Sequence, residues 1–205
     1  AQLGTCEFDW EGAKPDLESL ARAGHSSGED PVALINAAER PLMVIGSQAL
    51  ALAGEAERIA TAVTRLGIPV YLSGMARGLL GREHPLQMRH ARRNALRESD
   101  CVILAGVPCD FRLDYGRHIR RGATFIAANR SARDARMNRR PTIAAIGDAG
   151  LFLERLATRS IDGAKWRDWI QSLRKRDLER EAEIDAQAQG QGEFVNPVGF
   201  FRALD

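Results

Sequence analysis

Five clusters of small, polar and cationic residues each follow directly on an apolar run. Gly46, Ser47 and Gln48 follow LMVI; Ser73, Gly74, Met75, Arg77 and Gly78 follow IPVYL; Gly106 follows CVILA and leads to Cys109, Asp110, Arg112 and Arg117. Asn129 and Arg130 close ATFIAA, and Asp148 closes TIAAIG. Residues of these types bind anions. Glycine lets the backbone N–H approach a phosphate, arginine neutralises it with a forked donor, and Asn129 can meet a ribose hydroxyl where an acid often stands. None of the clusters is a GxGxxG fingerprint. Each also has a plain reading: Gly46 and Gly106 serve equally as turn formers, and Asp148 reads first as a helix N-cap.

Covalent and metal chemistry are less well supplied. Cys109 has no accompanying His and acid, and reads as a small buried thiol. His84, ahead of Pro85, reads as a residue that orders its loop. His118 has no supporting neighbours in the sequence, and no metal-ligand spacing occurs. The arginines of RHARR (residues 89–93) and Arg120 and Arg121 read first as a solvated face, with binding of an anionic cofactor as the lesser reading.

The elements that position these clusters form a series. Residues 42–46, 68–72, 101–106, 123–128 and 142–148 are short apolar runs. Between and after them lie helical patterns at 54–67, 92–100, 131–138 and 149–157; the first spaces Ala56, Ile59, Ala60, Val63 and Leu66 along one face and ends on Gly67. Strands apolar at consecutive positions are buried on both faces, which requires helices on both sides of a parallel sheet. The expected fold is α/β, a three-layer Rossmann-like domain with five or six parallel strands. In such a sheet, ligands sit at the carboxyl ends of the strands, where all five clusters fall.

Composition narrows the class. The chain has 205 residues, 44% of them hydrophobic, with 29 Lys and Arg against 27 Asp and Glu. A net charge of +2 gives no polybasic surface, so nucleic acid is not an expected partner. Three cysteines without a CxxC pair suit a reducing interior, and no run approaches a membrane span, so a cytoplasmic location is expected.

The sequence starts at Ala1 without Met, and both ends read as cut. Residues 1–39 read as a linker and 40–160 as the α/β domain. Residues 161–192 read as a charged helical connector whose first turns pack through Trp166, Trp169, Ile170 and Leu173. Its later half, RKRDLEREAE, reads as solvated, with i,i+4 ion pairs, and AQAQGQG (186–192) as a flexible link. Asn196 and Pro197 then start a new helix within 193–205.

The order GSQ loop, LGIPVYLSGMARGLLGREHPL, ESDCVILAGVPCDFRLDYGR and TIAAIGDAGLFLERL resembles the central domain of thiamine-diphosphate-dependent enzymes such as acetolactate synthase. CDFRLDYGR followed by AANR looks most like the acetolactate synthase-like proteins associated with 2-hydroxyacyl-CoA lyase activity. The resemblance covers residues 40–158. It implies a transferase or lyase acting on a 2-keto or 2-hydroxyacyl group, with thiamine diphosphate and Mg²⁺ held by flanking pyrimidine- and diphosphate-binding domains. Residues 1–39 then resemble the linker from the first, and 193–205 the start of the second. The isolated chain is expected to bind no thiamine diphosphate and to be inactive. The flanking domains of the same polypeptide are its expected partners, and a homo-oligomer is implied.

Central domains of this family hold FAD, ADP or nothing. Here Gly106-Val107-Pro108 replaces the family's Gly-Ala-Arg, and Asn129-Arg130 replaces an acidic strand end, which weighs against FAD. ADP, a CoA-like ligand or an empty domain stay open, with Gly46, Ser47, Gln48, Ser73, Gly74, Met75, Arg77, Gly78, Gly106, Asn129, Arg130 and Asp148 as the candidate binding residues. The alternative is a free-standing Rossmann-like module that binds NAD or ADP, or a scaffold.

Overall fold

Residues 41–45, 101–105 and 124–129 are apolar without interruption, and they form the centre of a seven-stranded sheet. The computed structural model describes residues 24–25, 30–51, 53–190, 192 and 194–204. Its strands are β1 (Gly24–His25), β2 (Pro41–Ile45), β3 (Val70–Leu72), β4 (Gln87–Met88), β5 (Cys101–Ala105), β6 (Thr124–Asn129) and β7 (Ile143–Ile146). The order is β1-β7-β6-β5-β2-β3-β4, parallel throughout except for β1, which pairs antiparallel with β7. The chain winds outward from β2 through β3 to β4, then returns to β5 and winds outward the other way. The switch point therefore lies between β2 and β5.

The helices are α1 (Pro31–Ala37), α2 (Ala56–Leu66), α3 (Arg92–Glu98), α4 (Ala132–Ala135), α5 (Ala149–Ala157), α6 (Arg167–Ala188) and α7 (Pro197–Leu204). Period-two alternation divides the strand side chains between two apolar layers. Met43, Ile45, Ile103, Ala105, Ile126 and Ile143 pack with α1, α2, α5 and Trp166. Leu42, Val44, Val102, Leu104, Phe125 and Ala144 pack on the other face with α3, α4, Trp169 and Leu173. The expected three-layer parallel architecture is thus present, with six parallel strands.

Two segments differ from their sequence reading. Within residues 1–39, expected as a linker, α1 buries Val32 and Ile35 in the core, and β1 extends the sheet; Cys6 and most of the segment's start lie outside the described residues. The Asp30 carboxylate accepts the Val32 N–H and Pro31 opens the helix, a start signal in a stretch too short to show periodicity. Residues 186–190, expected as part of a flexible link, continue α6 to Ala188, and Asn196 Nδ2 donates to the carbonyls of Gln187, Ala188 and Gly190. Asn196 Oδ1 accepts from Val198 and Gly199, capping α7 as its sequence indicates. Among the described residues, no helix is long and apolar enough to cross a membrane.

Candidate ligand site at the carboxyl edge of the sheet

At the switch point the loops after β2, β5 and β6 close on one another. The turn at Ser47–Leu50 is held by the Gln48 N–H, which donates to the Gly106 carbonyl at 3.1 Å. Gln48 Nε2 donates to Asp134 Oδ2, and its Oε1 accepts the Arg130 N–H at 3.4 Å. A Cβ on Gly106 would lie 2.3 Å from the Ala49 nitrogen, and one on Gly46 would lie 2.6 Å from Val107 Cβ. The space these glycines leave is filled by protein. Asn129 is buried, donates weakly to the Val107 carbonyl at 3.5 Å, and its Oδ1 meets no donor among the described residues.

Asp148 performs its expected capping role, accepting the Leu151 N–H at 3.0 Å. Its second oxygen lies 3.1 Å from Arg130 Nη2, so two candidate residues form an ion pair. Together these contacts join Gln48, Gly106, Arg130 and Asp148 into one network spent largely on itself, with Gly46 packed against Val107 beside it.

The loop after β3 behaves differently. Ser73 is buried and its N–H donates to the Ile45 carbonyl, which continues the ladder. Ser47 Oγ accepts the Met75 N–H at 3.1 Å and stands where a Cβ on Gly74 would go. Beyond this joint, Met75 and Arg77 are exposed and Gly78 borders open space. Among the described residues the Arg77 side chain forms no hydrogen bond or ion pair.

Arg77 stands at a cleft of about 460 Å³ along the carboxyl edge of β3 and β4, lined also by Tyr71, Leu72, Gln87, Met88, Arg89 and Arg92. Arg92 donates to the Arg112 carbonyl at 2.7 Å. Burial, opposed by Tyr71 and aided by the nearby Arg77 charge, lowers its pKa from the ordinary guanidinium value. Arg89 reaches Glu181 at 3.1 Å. Of the expected solvated run at residues 89–93, Arg89, just after β4, and Arg93 are exposed, while Arg92, the first residue of α3, is half-buried beside the cleft.

Behind the cleft, the later half of α6 is docked and not simply solvated. Asp177 accepts the backbone N–H groups of Arg89 at 2.7 Å and His90 at 2.9 Å. Arg176 grips Glu98 with two bonds of 2.8 Å. Glu181 accepts from His90 and Arg202 at 2.5 Å each. That His90 contact, followed by Arg202 and Arg89, outweighs burial and brings the Glu181 pKa down to about 2. The helix runs from Trp169, whose Nε1 donates to the Pro41 carbonyl at the amino end of β2, to the carboxyl edge at β4.

The remaining titratable candidates are structural. Burial raises the Cys109 thiol to about 11 and the Cys101 thiol to about 12, so neither is a ready nucleophile. His84 Nε2 lies 3.1 Å from Thr64 Oγ1 and its Nδ1 accepts the Leu86 N–H, which orders the loop as expected. His118 does have a neighbour that the sequence did not offer: Asp114, 3.1 Å away. No group of three or more His, Cys, Asp or Glu able to hold a metal ion occurs among the described residues.

Tyr71 and Gln87 are cleft residues that the sequence reading did not single out, and it gave Arg89 and Arg92 an anion-binding role only as the lesser reading. The only available signal was the spacing of Arg89 and Arg92 just beyond the HPL turn.

Residues 29–156 match the family model described as thiamine pyrophosphate enzyme, central domain. Human 2-hydroxyacyl-CoA lyase 2 is 40% identical over 85% of this chain and 28% of its own length. The Xenopus laevis protein of the same name is 39% identical over 93% of this chain and 31% of its own. Acetolactate synthase large subunit IlvG of Mycobacterium tuberculosis is 35% identical over 74% of this chain and 28% of its own. The chain spans under a third of the length of these relatives.

Proposed function

Because this chain belongs to the family of thiamine pyrophosphate enzyme central domains, we propose that it is the middle domain of a thiamine-diphosphate-dependent enzyme that breaks or forms a C–C bond beside a carbonyl. The family match over residues 29–156 carries this reading. A substrate class of 2-hydroxyacyl-CoA rather than pyruvate is supported by the higher identity to 2-hydroxyacyl-CoA lyase 2, 40% against 35% for the acetolactate synthase subunit. In the complete enzyme, thiamine diphosphate would supply the carbanion-stabilising chemistry. This chain's residues contribute position. The sheet and α6 form a rigid block whose long helix connects the amino edge at Pro41 with the carboxyl edge at Arg89. Flanking domains of the same polypeptide, Mg²⁺ and a homo-oligomer belong to the same proposal. So does a nucleotide or CoA-like ligand at the strand-end residues, of which the 73–78 turn is the part open to one.

Replacing the matched segment of human 2-hydroxyacyl-CoA lyase 2 with this chain tests the reading. The chimaera is expected to bind thiamine diphosphate and cleave a 2-hydroxyacyl-CoA, and the same exchange in the acetolactate synthase subunit to give a weaker enzyme. Two folded, soluble chimaeras that both fail to bind the cofactor would overturn it.

A further inference from the structure

We propose that the face formed by α3 and the connection between β5 and β6 docks an acidic polypeptide segment of a partner protein, whose carboxylates meet Arg93, Arg97, Arg117, Arg120 and Arg121 and whose apolar residues seat on Phe111 and Tyr115. This face lies over one layer of the sheet, apart from the 73–78 turn, and depends on side chains of this chain alone.

The net charge of +2 averages over an uneven distribution. Residues 111–142 hold nine arginines and two aspartates, with neither lysine nor glutamate. α3 and the connection pack on the same sheet face through Ala95, Leu96, Leu113 and Ile119, so their outer side chains share one surface. Arg92 ties α3 to the Arg112 carbonyl, and Arg139 holds the Ile119 and Arg120 carbonyls in place. On that surface Arg93, Arg97, Arg120 and Arg121 are exposed, and their side chains form no hydrogen bond or ion pair among the described residues. Arg117, 75% exposed, reaches Asp114 only at 3.9 Å. Burial, followed by the Arg97 and Arg93 charges, lowers the pKa of His118 against the pull of Asp114, and Arg117 adds to the effect. An anion laid on the face would oppose that field.

The same connection displays aromatic rings on a strained backbone. Asp114, Tyr115 and Gly116 follow one another in the left-handed region, with φ of +48°, +55° and +75°. Phe111 is 71% exposed and Tyr115 50%. Aromatic anchors beside arginines are what the centre of a protein interface is made of. Asp110, paired with Arg112, and Asp114, paired with His118, adjoin these rings in the chain. A bilayer or a nucleic acid would bring phosphates against these carboxylates as well as against the arginines. A polypeptide can instead set apolar residues opposite the rings and carboxylates opposite the guanidinium groups, which makes it the partner that fits.

Fluorescence anisotropy of a labelled synthetic peptide made of Glu-Glu-Leu-Phe repeats, titrated with this chain at physiological ionic strength, tests the surface. Saturable binding is expected, weakened about tenfold by Arg93→Ala with Arg97→Ala and about tenfold by Phe111→Ser with Tyr115→Ser. All of these side chains are exposed, so both variants should keep the parent circular dichroism spectrum. Arg167→Ala, on exposed α6 surface, should leave the affinity unchanged. The His118 ring resonances should titrate at higher pH in the bound state, which a peptide seated elsewhere would not cause. Absence of saturable binding, an affinity unchanged in either double variant, or tighter binding to phosphatidylserine vesicles or to oligothymidylate than to the peptide would overturn the proposal. None of these results bears on thiamine diphosphate binding by the chimaera, so the two failures are distinguishable.

Discussion

Asp177 Oδ2 lies 2.7 Å from the Arg89 backbone nitrogen, which joins a helix near one end of the chain to the residue that follows the outermost parallel strand. An edge strand of two residues has little of its own to hold it, and β4 is such a strand. The carboxylate serves as a cap for β4 and fixes the rim of the arginine cleft. Asp177→Ala would leave the Arg89 and His90 N–H groups unpaired in a poorly hydrated place. A loss of about 2–4 kcal/mol is expected in urea unfolding, together with faster hydrogen exchange at those two amides.

Glu181 provides a pH dependence with a definite sign. Its folded pKa is depressed from 4.5 to about 2, first by the His90 contact, then by Arg202 and Arg89. Stability from this group is therefore fully present above about pH 4.5 and is lost as pH falls toward 2. The stability difference between the parent and Glu181→Gln should shrink across that window. A constant difference from pH 5 to pH 2, followed by denaturant unfolding, would contradict the assignment.

Gly106 joins φ = +71° to a site with no room for a Cβ, 2.3 Å from the Ala49 nitrogen. Gly106→Ala combines left-handed backbone strain with displacement of the turn at residues 47–50. We expect it to cost at least about 2 kcal/mol, read as a lowered melting temperature. Gly78→Ala, where a Cβ meets open space, should be nearly neutral.

Cys101 and Cys109 are buried with thiols pushed up to about 12 and about 11. Both should resist alkylation by iodoacetamide at pH 8 in the native chain and react promptly in guanidinium, as followed by peptide mass spectrometry. Rapid labelling of native Cys109 would mean that the loop after β5 opens.

The strand-end clusters, the five apolar runs and the helix ending at Gly67 were legible because each is local: period, cap and turn chemistry act within a few residues. Asp148 is the clearest case, since an N-cap needs only the following turn. Its partner Arg130 was not legible as a partner, because their side chains meet only when β6 and β7 lie side by side. Likewise α1 was read as linker, since seven residues cannot show a helical face until Ile35 has a sheet to pack against.

By itself the sequence determined the parallel α/β class, the carboxyl-edge position of the candidate residues and the family resemblance, all of which depend on order along the chain. Only the tertiary structure decided which candidates face each other and which face solvent. It filled the space around Gly46 and Gly106 with protein, left the Arg77 side chain without a hydrogen-bond or ion-pair partner among the described residues, and set Arg92 half-buried beside the same cleft. The physical reason is that charge compensation is a property of space. Glu98 and Glu181 pair with arginines, and Asp177 with backbone N–H groups, far from them in sequence, and what they leave over appears only after folding.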